Sequence, residues 1–318
     1  MVRPSLTLPV MHVGQHDVDA ATVRRLVASQ FPQWRHLAVT PVPSPGTVNA
    51  IFRVGDGLAA RLPLQGDDPE AVRACLAAEA EAAAELHGST RVPTPEPVAL
   101  GEPGAGYPLP WSVQTWLPGS TAFDLDPAAS SAFAADLAAF IADVRALDTR
   151  GRPFRGTGRG GDLRDQDAWV EECLDRSSGV LDVPPLRALW AELRPLPRAD
   201  PDLMTHGDLV PGNVLVTRRD GHLRLGGVLD VGGLGPADPA LDLVGAWHLL
   251  DPGPRRVLRD ELATDELQWE RGRAWAFAQA IGLVWYYATT NPEMSALGRR
   301  TLGRLLDDPG PPPGRRSW

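Results

Sequence analysis

The stretch that most narrows the choice of fold is His206-Gly-Asp-Leu-Val-Pro-Gly-Asn-Val-Leu-Val216, followed closely by a second apolar run, Leu223-Arg-Leu-Gly-Gly-Val-Leu229. Pro211 and Gly212 shape the first half into a loop, and Asp220-Gly221 between the apolar runs is a hairpin turn signal. Pairing Val214-Leu-Val216 with the second run around that turn sets Asn213 and Asp230 side by side at the open end of the hairpin, next to Asp208. Oxygen donors of that kind suit magnesium, which keeps several waters and takes one or two protein oxygens plus substrate phosphates. The remaining carboxylate, Asp208, is then available to receive or orient the proton of an attacking hydroxyl. The spacing proposes metal-assisted phosphoryl transfer. The plainer alternative makes His206-Gly-Asp208 a turn, Asn213 a strand cap and Asp230 a strand end.

The rest of the chain reads as α+β. Ala50-Ile-Phe-Arg-Val54 and Leu58-Ala-Ala-Arg-Leu62 flank Gly55-Asp56-Gly57, a second hairpin signature. A helix is predicted to start after Asp68, with Pro69 at its first position, and to run to Leu86 before Gly88 ends it. Trp111 to Leu117 is a further strand, closed by Pro118-Gly119. This portion reads as a small sheet with one helix. Beyond it, Ser130 to Leu147, Gln166 to Asp175 and Gln268 to Ala288 carry helical periodicity, interrupted by the β island from Val214 to Leu229. The expected organisation is a sheet-rich N-terminal lobe over 1–117, a larger helical lobe over 118–308 and a disordered tail over 309–318.

Composition removes several classes of function. Lysine and arginine together number 31, and every one is arginine. Phosphate loops ending in Gly-Lys-Ser/Thr and Schiff-base lysine chemistry are therefore excluded. A net charge of −9 argues against nucleic acid as partner. Cys75 and Cys173 are too few for a disulfide framework or a cysteine metal site. The apolar run from Leu6 to Val13 is broken by proline and carries no cleavage signal, and the longest apolar stretch, Ala274 to Ala288, contains Gln279 and is shorter than the roughly 20 residues that span a bilayer. A soluble cytoplasmic protein, monomer or homodimer, with no membrane partner is expected. Gly156-Thr-Gly-Arg-Gly-Gly161 fits a dinucleotide fingerprint but follows a polar segment, so it reads as a mobile loop. His12 and His16 lack an acidic third ligand. The tryptophans read as core filling, and acidic positions such as Asp124, Glu171, Glu172, Asp251, Glu266 and Glu270 as a solvated face that gives only weak support to a cationic acceptor.

Asp208 and Asn213, with four residues between them, match the spacing of the protein-kinase catalytic loop, and Asp230-Val-Gly232 stands where Asp-Phe-Gly is expected. More closely, His206 to Asn213 followed by Gly227-Val-Leu-Asp-Val-Gly-Gly-Leu-Gly-Pro-Ala-Asp-Pro-Ala-Leu-Asp242 resembles the aminoglycoside phosphotransferase family, which is related to choline, homoserine and fructosamine kinases. Pro45 to Arg53 is similar to that family's nucleotide-positioning loop, and Trp111 to Gly119 to its interlobe hinge. The resemblance implies a bilobal protein-kinase-like fold using ATP or GTP and magnesium. It implies Asp208 as catalytic carboxylate and Asn213 and Asp230 as metal ligands. Thr47 and Asn49 would lie on the nucleotide loop, and backbone near Gln114, Thr115, Trp116 and Leu117 would meet the base. Arg61 stands where the family places a lysine that reaches the α- and β-phosphates, with Glu79 its expected helix partner and Glu81 the alternative. Val231 replaces a packing phenylalanine, and Asp242 is expected to brace the catalytic loop, with Asp238 as a helix cap. The implied activity is transfer of a γ-phosphate to a hydroxyl of a small, antibiotic-like acceptor, cationic ones among the candidates. A metabolite kinase acting on choline-like, sugar or amino-alcohol substrates and a catalytically silent kinase-like binding protein are the alternatives.

Overall fold

The computed structural model describes residues 15–43, 48–156, 158–198 and 200–308. Thr47, His12, the run from Leu6 to Val13 and the 309–318 tail lie outside the described residues. The chain is α+β and divides into two compact units, one comprising residues up to 87 together with 93–118, the other 88–92 together with residues from 119 onward. No helix among the described residues is long and apolar enough to cross a membrane.

The first unit is a five-stranded antiparallel sheet built from β1 (Val39–Val42), β2 (Asn49–Val54), β3 (Leu58–Pro63), β4 (Pro97–Gly101) and β5 (Trp111–Thr115), in the order β1-β2-β3-β5-β4. Alternation sends Ala50, Phe52 and Val54 of β2 into the core, where they join Leu62, Val113 and Trp111. Helix α1 (Ala20–Gln30) is an addition to the one helix expected here. Its start is set by Asp19, which accepts the Thr22 N–H, and Val23, Leu26 and Val27 bury one stripe against the sheet. Helix α2 (Pro69–Leu86) starts at the Asp68 cap with Pro69 in its first turn. Leu76, Ala83 and Leu86 form its buried stripe, and helical spacing puts Glu79 on that same face while Glu81 is turned away.

The second unit holds two small β elements among helices. β7 (Leu203–Thr205) pairs with β10 (Gly235–Ala237), and β6 (Ser120–Thr121) pairs with β8 (Val214–Arg219), which forms the expected hairpin with β9 (His222–Val228). Asp220 and Gly221 both take positive φ, 51° and 78°, as a tight hairpin turn requires. The ladder slips by one residue at Gly226, since Leu215 faces Gly227 while Val216 faces Leu225. The residue bonded across from Asn213 is therefore Leu229, whose N–H donates to the Asn213 carbonyl at 2.7 Å, and Asp230 comes one step later. The helices are α3 (Ser131–Arg145), α4 (Asp167–Arg176), α5 (Val183–Leu193), α6 (Val244–Leu249), α7 (Pro252–Glu261), α8 (Glu266–Tyr286) and α9 (Pro292–Asp307). α8 is buried along most of its length, including Trp275, Phe277 and Ile281. α9 comes so near that a Cβ on Gly298 would lie 2.8 Å from the Ala280 carbonyl. Trp111, Trp190, Trp247 and Trp275 are core residues, and both cysteines are free thiols.

Candidate active site

The loop from His206 to Asn213, between β7 and β8, is held from beneath by one buried carboxylate. Asp242, on the 3₁₀ turn Pro239–Leu243 that Asp238 caps, accepts the N–H of His206 at 2.9 Å and of Gly207 at 2.8 Å. His206 is itself buried and joins the two motif segments. Its Nε2 lies 3.0 Å from the Leu229 carbonyl and its Nδ1 accepts the Asp208 N–H at 3.3 Å. One tautomer satisfies both contacts, with the proton on Nε2. Leu229 is thus gripped through its N–H by Asn213 and through its carbonyl by His206. Asp230 follows it, exposed and in the left-handed region at φ 57°, a conformation that aspartate tolerates better than most residues.

Asp208 carries a side chain that is 38% exposed yet heavily engaged. Asn213 Nδ2 donates to its Oδ2 at 2.8 Å and to its backbone carbonyl at 3.0 Å. Gln279 Nε2, from α8, donates to Oδ1 at 2.7 Å, and Arg159 Nη2 donates to the same oxygen at 3.2 Å. The Arg159 Nη1 is buried without a hydrogen-bond partner. Because Asn213 directs its NH₂ at Asp208, its carbonyl Oδ1 is the end that faces elsewhere. Among the described residues no group of three or more His, Cys, Asp or Glu side chains converges on a metal position. The donor set at hand is one carboxamide oxygen and the Asp230 carboxylate, which fits a hard cation that keeps most of its waters.

In the first unit Arg61, on β3, is nearly buried and its Nη1 donates to Glu79 Oε2 at 3.1 Å. Asn49 opens β2 opposite Pro63. At the end of β5 the Thr115 N–H goes to the Glu96 carbonyl and the Trp116 N–H to the Gly57 carbonyl, while Gln114 pairs with Ala59. Leu117 follows directly.

Arg159 and Gln279 are contacts of Asp208 that no motif marked. Of the glycine-rich segment expected to be mobile, residues 158–161 are hydrogen-bonded to the rest of the unit: Gly160 accepts the Asp238 N–H at 2.9 Å, and Gly158 and Gly161 accept from Gln166 and Arg271. That anchoring is what lets Arg159 reach Asp208. Gln279 did carry a signal, as the lone polar side chain in the Ala274 to Ala288 run. Several of the acidic positions are paired within the chain, Glu171 with Arg187, Glu172 with Arg176, Asp251 with Arg304 and Glu270 with Arg273.

A family model described as the phosphotransferase enzyme family matches residues 39–277. No curated protein sequence matches the chain. Among solved structures, the GDP complex of aminoglycoside 2'-phosphotransferase-IIIa superposes with a TM-score of 0.69 at 18% identity, covering 91% of this chain and 99% of that one. A macrolide 2'-phosphotransferase from Brachybacterium faecium superposes with a TM-score of 0.57 at 20% identity, covering 88% and 97%. A ternary complex of an aminoglycoside phosphotransferase with streptomycin and ATP gives 0.54 at 16% identity, covering 92% and 97%. At these identities the likeness is one of fold.

Proposed function

The chain belongs to the phosphotransferase enzyme family, and from that premise we propose that it moves the γ-phosphoryl group of ATP or GTP onto a hydroxyl of a small antibiotic-like molecule, with Asp208 taking the hydroxyl proton. The observation that carries this reading is the Asp208 side chain, part-exposed to an incoming acceptor and still oriented by Asn213, Gln279 and Arg159. The acceptor oxygen forms the new bond to phosphorus. The bridging P–O bond breaks with its electron pair retained by the nucleoside diphosphate, and the hydroxyl proton passes to the Asp208 carboxylate. Arg61, steadied by Glu79, grips phosphate oxygens with a planar fork in place of the ammonium of a lysine. Thr47 and Asn49 are assigned to the nucleotide loop. The Leu117 amide is assigned to the base, since those of Thr115 and Trp116 have partners within the unit. Asn213 through Oδ1 and Asp230 would hold magnesium, which when bound neutralises phosphate charge.

The test is an acceptor screen with γ-labelled ATP and GTP on kanamycin, gentamicin, streptomycin, a macrolide and choline, the first three being ligands of phosphotransferases that share this fold. Label is expected on an antibiotic, and Asp208→Ala is expected to lower turnover by about 10² to 10⁴. Label on choline alone would make the chain a metabolite kinase. Nucleotide binding without transfer to any acceptor would make it a binding protein. Wild-type turnover by Asp208→Ala would remove the assigned base.

A further inference from the structure

Behind Asp208 the structure holds a line of polar side chains that crosses three helices. Gln279 of α8 donates through Nε2 to Asp208 Oδ1 at 2.7 Å, and its Oε1 lies 3.1 Å from Nε2 of His248 on α6. His248 Nδ1 lies 2.9 Å from Oγ1 of Thr301 on α9. His248 and Thr301 are both fully buried.

The chemistry of each atom fixes the direction of every bond. Gln279 Oε1 can only accept, so His248 Nε2 carries the proton. Burial pushes the His248 imidazole down from 6.5 to about 4, so the ring is neutral at pH 7. Nδ1 is then an acceptor, and the Thr301 hydroxyl donates to it. All the donors point the same way, from Thr301 through His248 and Gln279 to the carboxylate. A reversed Gln279 amide would set its carbonyl against the Asp208 carboxylate, a contact that repels, so the Asp208 contact fixes the amide and the amide in turn selects the His248 tautomer. A buried polar chain of this kind needs every partner satisfied.

We propose that Gln279 is a positioning residue for Asp208, locked in orientation by His248 and Thr301. With Gln279 and Arg159 both on Oδ1, the oxygen that takes the acceptor's proton is Oδ2, which receives the Asn213 N–H. The inference rests on Asp208 being the proton acceptor in the reaction proposed above.

The variants are Gln279→Leu, His248→Leu, the two combined, and His248→Gln, whose amide N–H can stand where Nε2–H stood. Turnover and the nucleotide KM are measured with labelled ATP on the acceptor that the screen identifies, and as ATP hydrolysis where water alone accepts. Gln279→Leu is expected to lower kcat by about 10- to 100-fold with little change in the nucleotide KM. His248→Leu should do much the same, the double variant should be no slower than Gln279→Leu, and His248→Gln should recover most of the loss. Independently of turnover, ¹⁵N-histidine NMR of the wild-type protein at pH 7 should find His248 with its proton on Nε2. Multiplying losses in the double variant, an unaffected Gln279→Leu, or a His248 protonated on Nδ1 would each overturn the relay. Inactive Asp208→Ala beside fully active Gln279→Leu removes the relay alone, whereas fully active Asp208→Ala removes the reading beneath it.

Discussion

Asp242 holds the start of the loop from His206 to Asn213 in place from beneath. Its two oxygens accept two buried backbone N–H groups, those of His206 and Gly207. In Asp242→Asn one of those N–H groups meets an NH₂ in place of an oxygen and is left unpaired, at a cost of about 1 to 3 kcal/mol. Urea unfolding should read that loss as a lower midpoint at unchanged slope. At Arg61 the effect should fall on binding. Arg61→Ala removes the guanidinium proposed above to grip phosphate and is expected to raise the nucleotide KM on the order of tenfold or more while the unit stays folded, as read by initial rates and a thermal melt. The contact between Asp208 and Asn213 was legible at this scale because the two lie five positions apart in one loop. Arg159 and Gln279 were not, because they lie 49 and 71 positions from Asp208 in sequence and only packing brings them there.

At the scale of elements, legibility followed how local the determinant is. Helix α2 could be placed from Asp68 and Pro69, and the β8–β9 hairpin from Asp220-Gly221, because a cap and a turn are written in adjacent residues. The slip at Gly226 was not legible. A bulge depends on how two strands fit a common core, and this one sets Leu229 opposite Asn213 where an unbroken ladder would set Val228, which brings Asp230 one step nearer. Helix α1 was missed for a related reason: it is a short helix whose apolar stripe gains meaning only against the sheet. The turn yields a clean prediction. Gly221 has φ 78° and nothing within 4 Å of a Cβ built there, so Gly221→Ala carries backbone strain and no clash. The expected cost is about 1 kcal/mol, seen as a small drop in Tm with kcat nearly unchanged.

Over the whole molecule, a chain without lysine makes its pairs with arginine, whose fork binds carboxylates side by side, as in Arg91 with Asp143 and Arg224 with Asp136, or closes on one oxygen, as in the buried Arg271 on Asp238 Oδ2. Such pairs shape the response of the fold to acid. Arg91 and Arg194 hold the Asp143 and Asp167 carboxyls below their ordinary 3.8, so those contributions are fully present above pH 3.8 and fade only below it. His248 acts earlier. Its folded value of about 4 against 6.5 means that the unfolded chain binds a proton across that window and the folded chain does not. Stability is then complete above pH 6.5 and declines as pH falls toward about 4, by about 3 kcal/mol for this one group. Burial raises the Glu270 carboxyl and works in the opposite sense, so the His248 contribution is isolated by difference. In His248→Gln the side chain keeps a donor toward Gln279 and loses the titration. Urea midpoints taken from about pH 7.5 down to about pH 4.5 should therefore fall steeply for the wild-type protein and more gently for His248→Gln, by a difference of roughly 2 to 3 kcal/mol at the acid end. Parallel curves for the two proteins would mean that His248 takes up its proton in the folded state, and with it that the donor chain reaching Asp208 reverses or breaks in mild acid.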